Sequence, residues 1–302
     1  MAKVLVLGAG GNFGGNAARA FAAAGWEVAR YSRGTDMAAA AQGAAVIVNA
    51  LNPPMYHDWA RLIPQITSST IAAAKSSGAR LVVPGNVYVY GNQTGPWGPD
   101  TPQTPCSRKG AIRVASERQY KDSGLPVLIL RGGDFIDEGS DGTMLNMFVL
   151  KGIAQGKMTL PGTPEVRRAY AYLPDMARAA VGLVALSQAL PHFADIPFAG
   201  LTFSMADLRA EVERQLDRTV KVGKFPWWAM RLASPVWELA REVTEMRYLF
   251  ETPHSLVSAP MARMLPDFQG VDLAQIVRVH LERYGVGAVE ETRQAALLTG
   301  QN

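Results

Sequence analysis

Residues 3–14 read Lys-Val-Leu-Val-Leu-Gly-Ala-Gly-Gly-Asn-Phe-Gly, a short apolar run followed at once by four glycines in seven positions. The apolar run has the composition of a buried strand, and the Ala-rich stretch 16–24 that follows has that of a helix ending at Gly25. A glycine-rich turn between a strand and a helix leaves the first amides of the helix free to bind an anion. This segment decides the fold, because it predicts the opening strand-turn-helix unit of an α/β protein.

Each glycine of this turn has an expected task. Gly8 permits the tight turn, Gly10 lets the main chain approach a pyrophosphate, and Gly14 allows the helix to pack closely on the strand. A purely structural turn is the less favoured interpretation, because the glycines are clustered and lie between a strand and a helix. We therefore predict a dinucleotide-binding site formed by the following residues: Gly8, Gly10, Gly11, Asn12, Phe13 and Gly14.

The composition sets the broad class of the protein. A chain of 302 residues with 48% hydrophobic and 19% charged residues is long and apolar enough for an α/β domain with an appended lobe. The net charge of +4 comes from scattered residues, so no nucleic-acid partner is expected. Cys106 is the single cysteine, which fits a reducing compartment. The sequence contains neither an export signal nor a membrane span, so a cytoplasmic protein is expected.

Strand-like and helix-like segments alternate through the first half of the chain, which predicts a doubly wound parallel sheet of the Rossmann type. Further strands are expected at 27–31, 44–50, 81–83 and 126–131. Only the 14 residues 33–46 connect the second strand with the next one, too few for a helix, a strand and a return helix. The edge strand after the second strand is therefore expected to be missing or vestigial.

The second half of the chain is less regular and predicts a smaller, C-terminal substrate lobe. Helices are expected at 55–77, 108–123, 143–154, 174–190 and 205–216. The aromatic-rich stretch 226–251 predicts two helices divided at Pro235, whose apolar stripe forms core or a subunit interface, with a substrate or membrane surface as the alternative. The predicted division is a Rossmann domain of residues 1–133 and 170–195 and a substrate lobe of residues 134–169 and 196–302.

The order of these motifs resembles the extended short-chain dehydrogenase/reductase superfamily, the NAD-dependent epimerase/dehydratase group. The matching segments are the glycine turn, Asn-Ala-Leu at 49–51, Val-Tyr-Gly at 89–91, Arg131, and the helix entry at 172–179. The resemblance spans roughly residues 1–190. It implies a Rossmann fold that binds NAD or NADP, a cleft between two lobes for a small-molecule substrate, and often a homodimer through two helices of the sheet face.

The catalytic signature of that superfamily is altered in this chain. The resemblance implies a Ser after the fifth strand and a Tyr and Lys four residues apart on the next helix, where the Lys lowers the pKa of the Tyr. The matching positions here are Asn86, Lys109 and Arg113, and this helix contains no Tyr-x-x-x-Lys. The chain therefore resembles an atypical branch of the superfamily.

We take Lys109, Asn86 and Tyr88 as the candidate catalytic residues. A desolvated Lys109 beside Arg113 would be an acid/base, Asn86 can donate a hydrogen bond to a carbonyl oxygen, and Tyr88 or Tyr90 can reach the cleft. The alternatives are a solvated basic helix face for Lys109 and Arg113, a turn role for Asn86, and packing for the two tyrosines.

The end of the second strand favours NADP(H), with NAD(H) as the alternative. NAD enzymes of this fold place an acidic residue there, whereas residues 31–34 contain none and the first acid is Asp36. Arg33 can pair with a 2′-phosphate and Ser32 can hydrogen-bond it. Two residues are expected beside the adjacent ribose: Leu51 and Asn52.

Two functions remain open at this stage. The first is an NADP(H)-binding oxidoreductase or epimerase-like enzyme that acts on a small carbonyl or hydroxyl substrate. The second is an NADP(H)-sensing regulator or scaffold without turnover, which the simultaneous replacement of Ser, Tyr and Lys would permit. The four dispersed histidines do not have metal-ligand spacing, so no metal is expected.

Overall fold

A computed structural model describes residues 1–286 of the chain. Within this range the strands are β1 Lys3–Leu7, β2 Glu27–Arg30, β3 Val46–Asn49, β4 Arg80–Gly85, β5 Val127–Arg131, β6 Asp134–Ile136, β7 Lys157–Leu160, β8 Arg168–Tyr172, β9 Phe193–Pro197, β10 Leu201–Phe203 and β11 Lys221–Lys224. The α-helices are α1 Asn12–Ala23, α2 Met37–Ala40, α3 Trp59–Ser77, α4 Arg108–Asp122, α5 Leu173–Ala185, α6 Met205–Leu216, α7 Trp227–Ala233, α8 Glu238–Glu245, α9 Ala259–Met264 and α10 Leu273–Arg283.

A six-stranded parallel sheet forms the centre of the molecule, in the order β2-β1-β3-β4-β5-β9. Successive residues of its strands point to opposite faces, because the side-chain period of a strand is two. Val4 and Val6 thus pack with α1 and α5 on one face, while Leu5 and Leu7 pack against residues of α3 and α4 on the other. The predicted α/β fold with a doubly wound parallel sheet is confirmed.

The edge of the sheet next to β2 is shortened as predicted. β2 is the outermost strand, and the connection from β2 to β3 holds only the four-residue α2. The structure describes every residue between β2 and β3 and shows no further strand there, as the sequence predicts.

One strand of the sheet is not foreseen by the sequence. β9 pairs in parallel with β5, and the predicted domain boundary at residue 195 falls inside it. The central sheet therefore extends to residue 197, and the division into two domains otherwise stays a prediction.

The remaining strands form two small sheets outside the central one. β10, β8 and β6 form one sheet, and β11 pairs in parallel with β7 to form the other. The helical patch predicted at 143–154 is present in part: it consists of a π-helical turn at Leu145–Val149 and a short 3₁₀ turn at Ile153–Gln155 and is not a continuous α-helix. The aromatic-rich stretch does form two helices, α7 and α8, and Pro235 lies between them.

Candidate functional site

A cleft of about 810 Å³ runs along the carboxyl ends of β1 to β4. The carboxyl edge of an open parallel sheet is where ligands bind in such folds. The opposite wall comes from residues 133–135, 142–144 and 147–148 and from Leu239 and Val243 of α8. The segments that follow the four strands line the floor, namely residues 8–13, 30–33 (except Ser32), 49–59 (except His57 and Asp58) and 83–88 (except Gly85 and Val87).

The glycine turn has the geometry that its sequence predicts. Gly8 has a φ of +79°, and a Cβ there would lie 2.7 Å from the Ala50 carbonyl oxygen. A Cβ at Gly14 would lie 2.1 Å from the Gly8 carbonyl oxygen, so only glycine permits this approach of α1 to β1. A Cβ at Gly10 would meet nothing within 4 Å, so the backbone there borders open space in the cleft.

The first turn of α1 is open to an anion. Its N-cap is Gly11, which offers no side-chain cap, so the amides at the start of the helix remain available. Asn12 and Phe13 line the cleft at this point, and Asn12 Oδ1 accepts a hydrogen bond of 2.7 Å from the Ser140 hydroxyl. The uncapped helix, the glycine turn and the adjoining cavity fit the diphosphate of a dinucleotide.

The end of β2 presents cations to the cleft. Arg30 and Arg33 both line it, whereas Ser32 is exposed and is not part of the lining. Asp36, the nearest acid in sequence, caps α2: its Oδ1 accepts hydrogen bonds from the amides of Ala38 at 2.8 Å and Ala39 at 3.2 Å. Asp36 is thereby committed to the helix, and no acidic residue of the cleft lining lies near the end of β2.

Leu51 and Asn52 line the cleft after β3, where they were expected. Asn52 Oδ1 accepts a hydrogen bond of 3.0 Å from Arg113 Nη2. This hydrogen bond joins the segment after β3 to α4. Arg113 itself lines the cleft.

Arg113 carries a charge that no carboxylate of the described residues neutralises by an ion pair. Its guanidinium lies 4.6 Å from the Trp59 ring centroid, and its Nε is buried without a hydrogen-bond partner. Burial lowers the pKa of Arg113 from its ordinary value, although a guanidinium stays protonated in proteins. Arg113 is half-buried and lines the cleft, so its guanidinium is a candidate hydrogen-bond donor to a ligand.

Asn86 and Tyr88 both line the cleft at the end of β4. Asn86 Oδ1 accepts a hydrogen bond of 3.0 Å from the Tyr88 amide, so Asn86 has the turn role that was its alternative. Its Nδ2 makes no hydrogen bond to the described residues, which leaves a donor for a ligand. Arg131 Nη1 donates to the Asn86 carbonyl oxygen at 2.7 Å and thereby fixes the turn.

Two phenols meet in the cleft. The hydroxyl oxygens of Tyr88 and Tyr56 lie 3.5 Å apart. Burial raises the pKa of Tyr88 well above its ordinary value, and it also raises the pKa of Tyr56. Tyr90, by contrast, belongs to the core, since its hydroxyl donates to the Gly98 carbonyl oxygen at 3.1 Å and its ring packs on Trp97.

Lys109 does not line the cleft. Its side chain is 1% exposed, and its Nζ lies 2.6 Å from Glu242 Oε2 and forms a second ion pair with Glu245. The ammonium group is also 5.2 Å from the centroid of the Tyr56 ring. Lys109 is therefore neither a solvated surface residue nor part of the cleft lining, and it joins α4 to α8.

Sequence reasoning missed Tyr56 and Trp59. We expected a helix from Met55, but α3 begins at Trp59, and Met55, Tyr56 and Asp58 have positive φ values of 53°, 62° and 44°. Non-glycine residues in this region cost of order 1–3 kcal/mol each and cluster at functional sites. The available signal was the Pro53-Pro54 pair directly after a strand, at the edge where ligands bind.

Other site types find no support within residues 1–286. This range contains no group of three or more His, Cys, Asp and Glu side chains that could hold a metal ion. None of its helices is long and apolar enough to cross a membrane.

Comparison with solved structures identifies the same architecture in sugar-nucleotide enzymes. UDP-glucuronic acid 4-epimerase from Bacillus cereus in complex with NAD has a TM-score of 0.75 at 14% identity, with 94% of this chain and 98% of that chain covered. UDP-glucose 4-epimerase from Brucella ovis in complex with NAD has a TM-score of 0.74 at 18% identity, with 95% and 100% covered. TunA, an NAD-dependent NDP-hexosamine 5,6-dehydratase involved in tunicamycin biosynthesis, has a TM-score of 0.73 at 17% identity, with 96% and 100% covered.

This likeness establishes the fold. The chain has the fold of these NAD-dependent epimerases and dehydratases, in agreement with the resemblance inferred from the sequence motifs. Compared by sequence, it matches no protein-family model and no curated protein.

Proposed function

We propose that the protein is an NADP(H)-dependent oxidoreductase that reduces the carbonyl group of a small substrate with an apolar body. One observation carries this proposal: a single cleft joins the open glycine turn to a cluster of hydrogen-bond donors, Tyr88, Tyr56 and Arg113. The structural neighbours described as NAD complexes support a nicotinamide dinucleotide as the cofactor.

The cofactor would be held by the residues of the floor. Gly10, Gly11 and the amides of α1 suit its diphosphate, and Arg33 suits a 2′-phosphate, with Ser32 at the margin. Leu51 and Asn52 suit the adjacent ribose. NADP(H) is favoured because Arg30 and Arg33 face the cleft while Asp36 is committed to α2, and NAD(H) remains the alternative.

The donors at the β4 end favour reduction over oxidation. When bound, the nicotinamide supplies the hydride that reduces a carbonyl carbon. Tyr88 and Tyr56 have raised pKa values, so both phenols stay protonated at neutral pH and neither is a base. Tyr88 is therefore assigned the delivery of a proton to the substrate oxygen, and the Arg113 guanidinium the stabilisation of negative charge on that oxygen. The free Nδ2 of Asn86 adds a further donor.

The apolar lining restricts the substrate. The wall opposite the floor presents hydrophobic side chains to the cleft: Met144, Met147, Phe148, Leu239 and Val243. A sugar nucleotide would bring a second diphosphate, which needs cations of its own. Apart from Arg30 and Arg33 at the end of β2, the described cleft lining contains only one cation, Arg113. A small aldehyde, ketone or quinone with an apolar body suits this wall better than the nucleotide sugars named for the structural neighbours.

Lys109 is assigned a positioning role in place of the predicted proton transfer. Its ammonium holds Glu242 and Glu245 of α8, whose Leu239 and Val243 line the cleft, and lies near the Tyr56 ring. Replacement of Lys109 would leave two carboxylates facing each other and displace α8. A homodimer through helices of the sheet face remains part of the proposal and is testable by the mass of the protein in solution.

The decisive experiment follows hydride transfer from NADPH, deuterated at both C4 positions, to a panel of aromatic aldehydes, ketones and quinones. A parallel reaction contains UDP-glucose with NADP+ and follows oxidation or epimerisation of the sugar. We expect deuterium in the alcohol product of at least one aldehyde or ketone. Turnover of the sugar nucleotide alone would overturn the substrate class. Tight binding of NADPH with no transfer to any compound would instead support the regulator or scaffold.

A further inference from the structure

Four of the eight exposed large apolar side chains of the described residues lie on α7 or directly after it. Trp228, Leu232, Val236 and Trp237 are 74%, 75%, 92% and 50% exposed, and they lie within ten positions of the chain. The opposite side of α7 is buried, since Met230 packs with Phe225 and α8. The helix is thus amphipathic. Trp228 on the helix and Trp237 just after it are both exposed to solvent.

This segment is held firmly against the lobe. Trp227 donates its indole N–H to the Pro161 carbonyl oxygen at 2.6 Å, and its ring contacts Phe225 at a centroid distance of 4.6 Å. The exposed side chains therefore sit on an anchored element. Trp228 and Leu232 are four positions apart on α7 and share one face of the helix, and an exposed apolar surface marks a contact with a protein or a membrane.

The charge of the same region is of one sign. Residues 218–237 contain Arg218, Lys221, Lys224 and Arg231 and no acidic residue. Arg231 is exposed on α7 and shares one face of the helix with Trp228 and Leu232, and Lys224 is exposed three positions before α7 begins. Within the described part of the chain, neither of these two side chains forms an ion pair. Unpaired basic side chains beside exposed tryptophans complement an anionic surface.

We propose that Trp228, Leu232, Val236 and Trp237, with Lys224 and Arg231, form a docking surface for a phospholipid bilayer that contains anionic lipid; we call it the α7 surface. Tryptophan favours the boundary between headgroups and acyl chains, and each basic residue near an anionic leaflet adds about 1 kcal/mol. A seven-residue helix is too short to span the bilayer, so α7 would lie in the plane of the interface.

Docking would also bring the cleft close to the bilayer. α8, which follows α7 and packs on it, contributes Leu239 and Val243 to the cleft wall. An apolar carbonyl compound could then enter from the lipid phase, a consequence that rests on the proposed function. Binding to vesicles does not rest on it, because it needs neither cofactor nor turnover.

The test is co-sedimentation of the full chain with vesicles of phosphatidylcholine mixed with phosphatidylglycerol, compared with vesicles of phosphatidylcholine alone. We expect binding to the mixed vesicles that weakens with added salt. The Trp228→Ser/Leu232→Ser variant and the Lys224→Glu/Arg231→Glu variant should each lower the partition coefficient about tenfold or more. The control Lys75→Glu/Arg263→Glu has the same change of charge at exposed sites outside the α7 surface and should bind normally.

Two results would overturn the docking proposal. One is the absence of binding to the mixed vesicles, or binding that the Trp228→Ser/Leu232→Ser variant retains. The other is self-association in solution that this variant abolishes while vesicles bind neither protein, because the α7 surface would then be an interface between two copies. Active enzyme that does not bind vesicles would overturn docking alone, and vesicle binding without hydride transfer would overturn the enzyme alone.

Discussion

The hydroxyl oxygens of Tyr56 and Tyr88 lie 3.5 Å apart, although the two residues are 32 positions apart in the sequence. Tyr56 follows β3 and Tyr88 follows β4, and these two strands are parallel neighbours in the central sheet. Parallel neighbours end at the same edge of a sheet, so the residues that follow them meet there. Two protonated phenols and Arg113 together give this cleft a cluster of hydrogen-bond donors.

Replacement of Tyr88 by Phe should separate proton delivery from cofactor binding. Loss of a positioned general acid lowers a rate about 100-fold or more, so we expect that loss in single-turnover hydride transfer. The dissociation constant of NADPH should not change, because Tyr88 lies at the β4 end of the cleft, beside the proposed substrate. Stopped-flow absorbance of NADPH and calorimetric titration measure the two quantities.

Tyr90→Phe is the matched control for this experiment. It removes a phenolic hydroxyl from the same turn, but that hydroxyl donates to the Gly98 carbonyl oxygen in the core. We expect somewhat lower stability and an unchanged rate. An unchanged rate in Tyr88→Phe would show that another group supplies the proton.

The parts of the structure that the sequence predicts are those that local pattern and chain length determine. The glycine turn is flanked by its strand and helix within 24 residues, and the shortened edge follows from the length of one connection. β9 was missed because it contains Asp195, and aspartate is unusual in a strand. Asp195 is tolerated there because it forms an ion pair with Arg131, 64 positions away. A pattern search over a short stretch of sequence cannot detect a partner so far along the chain.

The same limit explains the errors at the site. Lys109 reads as a candidate acid/base beside Arg113, but its partners Glu242 and Glu245 lie on a helix more than 130 positions away. Tyr56 was assigned to a helix because local propensity cannot anticipate three positive φ values in a row of four residues. Contacts between distant segments override local preference at both places.

The cofactor site can be tested at Gly10 without disturbing the fold. A Cβ at Gly10 would meet no atom within 4 Å, so Gly10→Ala should keep the free energy of unfolding within about 0.5 kcal/mol. The added methyl group would occupy the space proposed for the diphosphate, and we expect the dissociation constant for NADPH to rise about tenfold or more. Calorimetry and urea denaturation provide the two measurements.

Gly223→Ala is the corresponding control, because a Cβ at this exposed position of β11 would come no closer than 3.9 Å to Met158 O. It should leave NADPH binding unchanged. Equal affinity of the Gly10→Ala variant and the parent chain would place the diphosphate elsewhere. Gly14→Ala is less informative, since its Cβ would overlap the Gly8 carbonyl oxygen and destabilise the fold as well.

Arg33 should determine the preference between the two dinucleotides. An ion-paired hydrogen bond to a phosphate contributes about 1.5–3 kcal/mol, so Arg33→Ala should weaken NADPH binding about 10- to 100-fold. Binding of NADH should change little, because it lacks the 2′-phosphate. Ser32→Ala is the neighbouring control, and its exposed position outside the cleft lining predicts a small effect. Tighter binding of NADH than NADPH by the parent chain would contradict the assignment of Arg33.

His254 should make the stability of the fold depend on pH. Burial, with Arg168 nearby, lowers the pKa of His254 to about 4, and the ring stacks on Trp97 at a centroid distance of 4.4 Å. In the unfolded chain the pKa returns to about 6.5, so between these values the unfolded state binds a proton that the folded state does not. The free energy of unfolding should therefore fall as the pH drops from 6.5 towards 4, by up to about 1.4 kcal/mol per pH unit.

Urea denaturation at neutral pH and near pH 5 measures this dependence. His254→Asn keeps a donor for the Thr252 carbonyl oxygen, which His254 Nδ1 contacts at 2.8 Å, but cannot titrate in this range. The loss of stability between the two pH values should be smaller in this variant than in the parent chain. Some loss should remain, because burial also lowers the pKa of His280. His192→Asn replaces an exposed histidine and should retain the full dependence. If His254→Asn retains it too, then His254 is protonated in the folded protein at pH 5, and the packing of its ring against Trp97 tolerates the charge.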